Sequence, residues 1–331
     1  MVMTHDARAL RLLSRVHHTR KAIGLEHLSR QIGKRRSVYR WMRRLREHVT
    51  YYPRIAFAGL GLAHVHLFIS NAGSEWFDYP YAIDRAWTID HPGHYTLYLH
   101  CLMPLEHLDL MPQGDGITSI TSGDGWQDLA PLEQALDHAG RPVPREATAS
   151  PIPQVPVTTA WREHPFVLPV ACELLRSPAS MDELWRAIHA RLGRDVWAYF
   201  TGHTRRWPHN GKAYVRRAFD HLNGHGLVLQ HVVHYAPLAE HTIELFLLTD
   251  DTQALRDHLA GLCPTMDAYP SKDGYLLRVR GDQAMIKHLV TSPGIRHWWF
   301  VEHERTANAP PVRFAYEILF DPRTKTWQVP S

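Results

Sequence analysis

Three cysteines, Cys101, Cys172 and Cys263, stand far apart in 331 residues, form no Cys-x-x-Cys pair and leave an odd one over. That excludes a disulfide framework and a cysteine zinc site, and reduced, buried thiols are the expectation. Long apolar runs are missing too. Nothing approaches the roughly 18 uninterrupted residues of a membrane span. The start, MVMTHDARALRLLSRVHHTR, lacks a signal peptide's apolar stretch and small-residue cleavage site. A cytoplasmic chain without a membrane partner is expected. No Walker loop, GxSxG elbow, HExxH helix or pair of catalytic carboxylates appears, so none of those chemistries is declared.

Acidic residues are scarce in one place. Between Arg8 and Arg46 Glu26 is the single acid against thirteen Lys or Arg, although the net charge of the whole chain is only +4. Clustered cations create a local field that attracts phosphates. The segment reads as three short helices, over 6–18, 25–32 and from Ser37 onward, with Gly33 at the break. In the third, Val38, Met42 and Leu45 fall on one face, and the cations are left on the others.

After His48 the pattern turns to strand-like alternation, in AHVHLFIS and again in HYTLYLHCL, followed by a short helix over 104–110 and the strand GITSI. With a further helix over 76–84, this order fits a β-α-β-β-α-β sandwich. Six prolines between Pro131 and Pro156, with little periodicity, mark a linker.

The pattern then restarts. HPFVLPVACELLRSP and SMDELWRAIHARLG read as helices, the second opened by Ser180 with Glu183 as a capping box. NGKAYVRRAFDHLNGHG is the third, and its Val215, Phe219 and Leu222 stand 177 positions after Val38, Met42 and Leu45. HTIELFLLTD matches AHVHLFISN, DTQALRDHLAGL is an amphipathic helix, and DGYLLRVRG matches GHYTLYLHC. DQAMIKHLVTSPGIRHWWFVEHE adds a helix, a Pro-Gly turn and a last strand, on which Trp298, Trp299 and Phe300 supply core and interface burial. A tandem duplication accounts for this. The expected fold is α+β, with two winged helix-turn-helix units and two ferredoxin-like sandwiches. The divisions are 1–50, 51–130, a linker 131–160, 161–228 and 229–331.

Three helices with a tight turn before the last suit the major groove. The contact set is Lys34, Arg35, Arg36, Ser37, Tyr39, Arg40, Arg43 and Arg44, with Arg36, Ser37, Tyr39 and Arg40 as base readers and Lys34, Arg43 and Arg44 on phosphates. The second unit offers Arg205, Arg206, Lys212, Tyr214, Arg216 and Arg217, with Trp207 among them.

LEHLSRQIGKRRSVYRWMRRLRE and DGYLLRVRGDQAMIKHLVTSPGIRHWWFVE together resemble the leucine-responsive/asparagine regulatory protein family of transcription regulators. The resemblance implies double-stranded DNA as partner, a small effector, and homo-oligomers formed through the sandwiches, with the two sandwiches of one chain able to pair internally. The first sandwich departs from that pattern: LMPLEHLDLMPQGDGITSITSGDGWQDL has a proline in its helix and a Gly-rich end. The reading is a sequence-specific DNA-binding regulator that is not an enzyme and carries no cofactor.

Histidine is abundant, 25 in all. His64 and His66 share one face of a strand, His231 and His234 begin the corresponding strand region of the second half, and His91, His94 and His100 lie near another strand. No spacing dictates convergence on a metal, so surface or interface histidines with a pH response are expected. Two alternatives use the same architecture. One is a nucleoid-associated DNA-binding protein without an effector. The other is the siroheme decarboxylases, which resemble the same regulators, occur as fused pairs and bind their tetrapyrrole at the sandwich interface through His and Arg.

Overall fold

The computed structural model describes residues 49–129, 149, 151–164, 166–175, 181–201, 211–235, 243–250, 253–262, 265–308, 312 and 314–330. The first basic helices, Arg205, Arg206, Ser180 and Cys263 lie outside these residues. Cys101 and Cys172 are buried, as expected.

Among the described residues, the first half consists of strands β1 (Val49–Ile55), β2 (Leu62–Ser70), β3 (Ala82–His91), β4 (His94–Pro104), β5 (Ile117–Ser122) and β6 (Trp126–Leu129), with 3-10 turns between them. The second half opens with helices α1 (Val167–Leu174), α2 (Met181–Thr201, broken at Gly193) and α3 (Gly211–Gly224), then β7 (Val228–Tyr235). It continues as β8 (Ile243–Thr249), α4 (Gln253–Leu262), β9 (Thr265–Ser271), β10 (Gly274–Gly281), α5 (Gln283–Thr291) and β11 (Ile295–Glu302). Two short helices, α6 (His303–Ala307) and α7 (Tyr316–Leu319), and a small hairpin close the chain.

Within each half the strand order is that of a ferredoxin-like sheet: β5-β2-β4-β3 in the first and β11-β8-β10-β9 in the second, antiparallel throughout. The halves then join edge to edge. β11 pairs with β3 through Phe300↔Ile89 to Glu302↔Trp87. On the other side β9 takes β5 at Ser122↔Ser271 and β6 from Trp126↔Ala268 to Leu129↔Thr265. The sheet therefore closes on itself, and joining both edges removes the unpaired strand borders that invite aggregation.

Alternation decides what each face does. On β2, Val65, Leu67 and Ile69 point outward into the core beneath the covering segments, while His64, His66 and Phe68 point between the two sheets. The outer face of the second sheet, with Leu245, Leu247, Leu277 and Val279, packs on α4 and α5 residues such as Leu259, Ile286 and Leu289. Asp282 caps α5 by accepting from the Met285 amide at 2.8 Å. The expected Pro-Gly turn follows, and Gly294 takes φ 87°, a conformation that glycine adopts without strain.

The first half is covered differently. The helix expected over 104–110 is a 3-10 helix, Leu105–Leu110, because β4 runs through Pro104 and the chain is extended again at Met111, leaving six residues for it. The helix expected over 76–84 is also a 3-10 turn, Ser74–Asp78, and the chain is already in β3 from Ala82. Trp76, Phe77, Tyr79, Leu108 and Met111 cover the outer face in place of regular helices. In the helical unit, Val215, Phe219 and Leu222 are buried on one face of α3, as their spacing requires.

β1 and β7 form an antiparallel ribbon running from Val49↔Tyr235 to Ile55↔Val228. His231 and His234 thus belong to this ribbon and not to the partner of β2, as the sequence suggested. The Gln127 side chain fastens the ribbon to the sheet, donating to Val233 O at 3.2 Å and accepting from Val233 N at 2.9 Å.

Candidate active site

The space between the two sheets is apolar at one end and polar at the other. Phe68, Ala86, Tyr98, Ile120, Phe246, Leu276, Trp299 and Val301 fill the first end, with Phe68 and Trp299 stacked at 3.8 Å between centroids. Toward the ribbon the same strands turn polar, and a cleft of about 430 Å³ opens. It is lined by Tyr52 and Arg54 of β1, His64 of β2, Asp84 of β3, His100 of β4, His234 of β7, Asp267 and Tyr269 of β9, and Arg278 and Arg280 of β10.

Three of these histidines are not surface groups, which corrects the expectation for them, while His91 is exposed. His64, His66 and His100 are buried, and His66 and His100 stack with centroids 4.4 Å apart. Asp124 Oδ1 can only accept, so His64 Nε2 donates to it at 3.2 Å. His64 Nδ1 lies 2.7 Å from His100 Nε2, a hydrogen bond whose proton either ring can hold, and His100, with Nδ1 outside that bond, lines the cleft. His66 has no such freedom. Ser122 Oγ donates to Gly123 O at 3.2 Å and accepts from His66 Nε2 at 3.0 Å, so His66 Nδ1 takes the Tyr98 hydroxyl proton at 2.9 Å. Burial, then the neighbouring imidazoles, hold His66 and His100 well below the usual histidine pKa and keep them neutral. Burial also takes His234 to about 4 against the pull of Asp267; its Nε2 lies 3.2 Å from the Tyr52 hydroxyl.

Three arginines face these rings. Arg54 Nη2 donates to Asp267 at 2.6 Å; burial works against its charge, but Asp267, Tyr269 and Tyr52 together hold its pKa above the usual value. Arg54 Nη1 is buried without an acceptor. Arg278 contacts Glu244 through Nε and Asp84 through Nη1 at 2.9 Å; Arg280 reaches the other oxygen of Glu244 at 3.2 Å. Burial would raise the Glu244 pKa, but the two guanidiniums bring it to about 2. The wall needs a glycine at position 125: a Cβ there would lie 2.3 Å from Tyr269 Cε1 and 2.9 Å from Arg54 Nη1. Together the groups offer guanidinium donors for carboxylates, aromatic faces, and an imidazole able to exchange a proton with a bound molecule.

No protein-family model matches the chain, and no curated protein matches it in sequence. Two solved structures are similar to it in overall course. One is the siroheme decarboxylase NirDL in co-complex with an iron-uroporphyrin III analogue, at 8% identity over 96% of this chain and 97% of that chain, with a TM-score of 0.44. The other is the siroheme decarboxylase NirDL, at 10% identity over 96% of each chain, with a TM-score of 0.45. Both are enzymes. The expectation that this chain is not an enzyme is corrected by that finding.

Of the residues singled out for DNA, Lys34, Arg35, Arg36, Ser37, Tyr39, Arg40, Arg43, Arg44, Arg205 and Arg206 lie outside the described residues. Lys212, Arg216 and Arg217 are exposed on α3, and Lys212 pairs with Asp182. Tyr214 packs beside Phe166, with the Arg217 guanidinium 5.9 Å from its ring. None of these four lines the cleft. No helix is long and apolar enough to cross a membrane, and no metal-ligand cluster occurs, among the described residues.

Sequence reasoning singled out His64, His66 and His100 only as surface or interface groups, and missed Arg54, Asp84, Asp124, Tyr269, Arg278 and Arg280, in the cleft or beside it. One signal was available. In YLLRVRG two arginines alternate within an apolar strand, so both point to the same buried face. Arg54 and Asp124 carried no such mark, since the β1–β7 ribbon brings in the one and the pairing of β2 with β5 the other.

Proposed function

We propose that the chain is a siroheme-decarboxylase-like enzyme acting on a carboxylated tetrapyrrole held by the cleft between the two sheets. The observation that carries this reading is the convergence of Arg54, Arg278 and Arg280 with His64, His100 and His234 on one internal cleft of about 430 Å³. A packed sandwich has no need of six such groups, and buried ionisable clusters in clefts mark functional sites. The solved relatives in fold are named as siroheme decarboxylases, one of them with an iron-uroporphyrin III analogue. In this chain the guanidiniums suit the acid groups on one edge of such a macrocycle. Tyr269 and Tyr52 offer aromatic surface to its plane.

Decarboxylation of an acetate side chain breaks the bond between methylene and carboxylate carbons, releases CO2 and places a proton on the methylene carbon. With the proton of the His64–His100 hydrogen bond on His64 Nδ1, His100 Nδ1 carries the proton to be delivered. As it passes to the methylene carbon, His64 gives its Nδ1 proton to His100 Nε2, and Asp124, accepting from His64 Nε2, stabilises the charged His64 ring beforehand. Substrate carboxylate plus one proton gives a methyl group and CO2, with no change of oxidation state in the protein.

Titration of the purified protein with siroheme, followed by absorbance, tests the reading. A saturating spectral shift at one equivalent per chain is expected, because the far end of the sandwich is filled by Phe68, Phe246 and Trp299. A spectrum that never departs from that of free siroheme would sink it.

A further inference from the structure

We propose that Asp84 is an internal stand-in for a substrate carboxylate, exchanged for it on Arg278 when the ligand binds. This rests on the reading of the cleft as a site for a carboxylated tetrapyrrole. The charged groups at Arg278 are balanced before any ligand arrives: Arg278 and Arg280 face Asp84 and Glu244, and Arg54 faces Asp267. A further carboxylate entering this poorly solvated space would be repelled unless one resident acid leaves.

The three acids differ in their freedom to leave. The Glu244 side chain is 4% exposed and bonded to two arginines. Asp267 is 14% exposed and held by Arg54 at 2.6 Å. Asp84 is 45% exposed, touches a single arginine nitrogen, and its other oxygen accepts from the adjacent Arg85 amide. It also sits where the pairing of β3 with β4 shifts register, between Ala82 and Asp84. Rotation into water costs Asp84 little, because the hydration it regains offsets the contact it loses. Arg278 keeps Glu244 throughout, so its charge is never left uncompensated. Asp84 thereby favours ligands that bring a carboxylate of their own to Arg278 over neutral macrocycles.

The test is fluorescence titration of iron-free uroporphyrin against the wild-type chain, Asp84→Asn and Asp84→Ser, with Asp90→Asn as a control acid that pairs with His94 and does not line the cleft. Both Asp84 variants are expected to bind about two- to fivefold more tightly than wild type, the scale of one exposed ion pair removed from competition. Asp90→Asn should match wild type. Equal or weaker binding by the Asp84 variants, with wild type still binding, overturns the exchange and leaves the site reading intact. Absence of uroporphyrin binding in all four proteins overturns the site reading, and the exchange with it.

Discussion

His100 and His66 stack on each other, yet their nitrogens are committed differently. Both nitrogens of His66 are bonded inside the protein, whereas His100 keeps Nδ1 for the cleft. The two rings should respond differently to substitution. His100→Asn is expected to lower turnover of siroheme by about 10²-fold or more, the usual worth of a general acid, with a melting temperature close to wild type. His66→Asn should chiefly lower the melting temperature, because it strips partners from Tyr98 and Ser122 in a buried layer. Turnover and thermal melts on the two variants check this, and identical behaviour would remove the distinction. At this scale the sequence was half legible. The period of two placed His64 and His66 on one face, but Asp124 lies 60 positions from His64 and meets it only through the pairing of β2 with β5.

At the scale of elements, the β1–β7 ribbon matters because it carries Tyr52, Arg54 and His234 to the cleft. Gln127 is its fastening, buried and bonded to both polar groups of the Val233 backbone. Gln127→Ala leaves those groups unpaired and should cost about 2–4 kcal/mol of stability, read by urea denaturation. It should also weaken siroheme binding, since the ribbon loses its register against β6. Strands and second-half helices were readable from hydrophobic period alone. The coverings of the first sheet were not. Pro104 and the aromatic run around Trp76 and Phe77 mimic a helical face, and only packing shows that single 3-10 turns suffice there.

For the whole molecule, two ferredoxin-like halves build one closed sheet, and the halves differ inside. The first contributes imidazoles, His64, His66 and His100; the second contributes Glu244, Arg278 and Arg280. Pattern reading could detect the repeat but not this division of labour, which depends on which faces meet across the sandwich. The buried titrating groups make stability depend on pH. His66, His100 and His234 have depressed pKa values in the folded state, so the unfolded chain binds more protons below about 6.5 and stability falls there. For His234 the loss runs from about 6.5 down to about 4; Glu244, at about 2 when folded, adds a further loss below about 4.5. Melting temperature should therefore drop steadily from pH 6.5 toward 4 and be nearly flat from 6.5 to 8. A flat profile throughout would mean that the imidazoles are not buried as described.

The central claim is that the cleft decarboxylates a tetrapyrrole, and mass spectrometry of siroheme incubated with the purified chain addresses it most directly. The account predicts products lighter by CO2, with acetate side chains converted to methyl groups, and their loss in His100→Asn. Siroheme recovered intact from a protein that binds it in a saturable way would contradict the account.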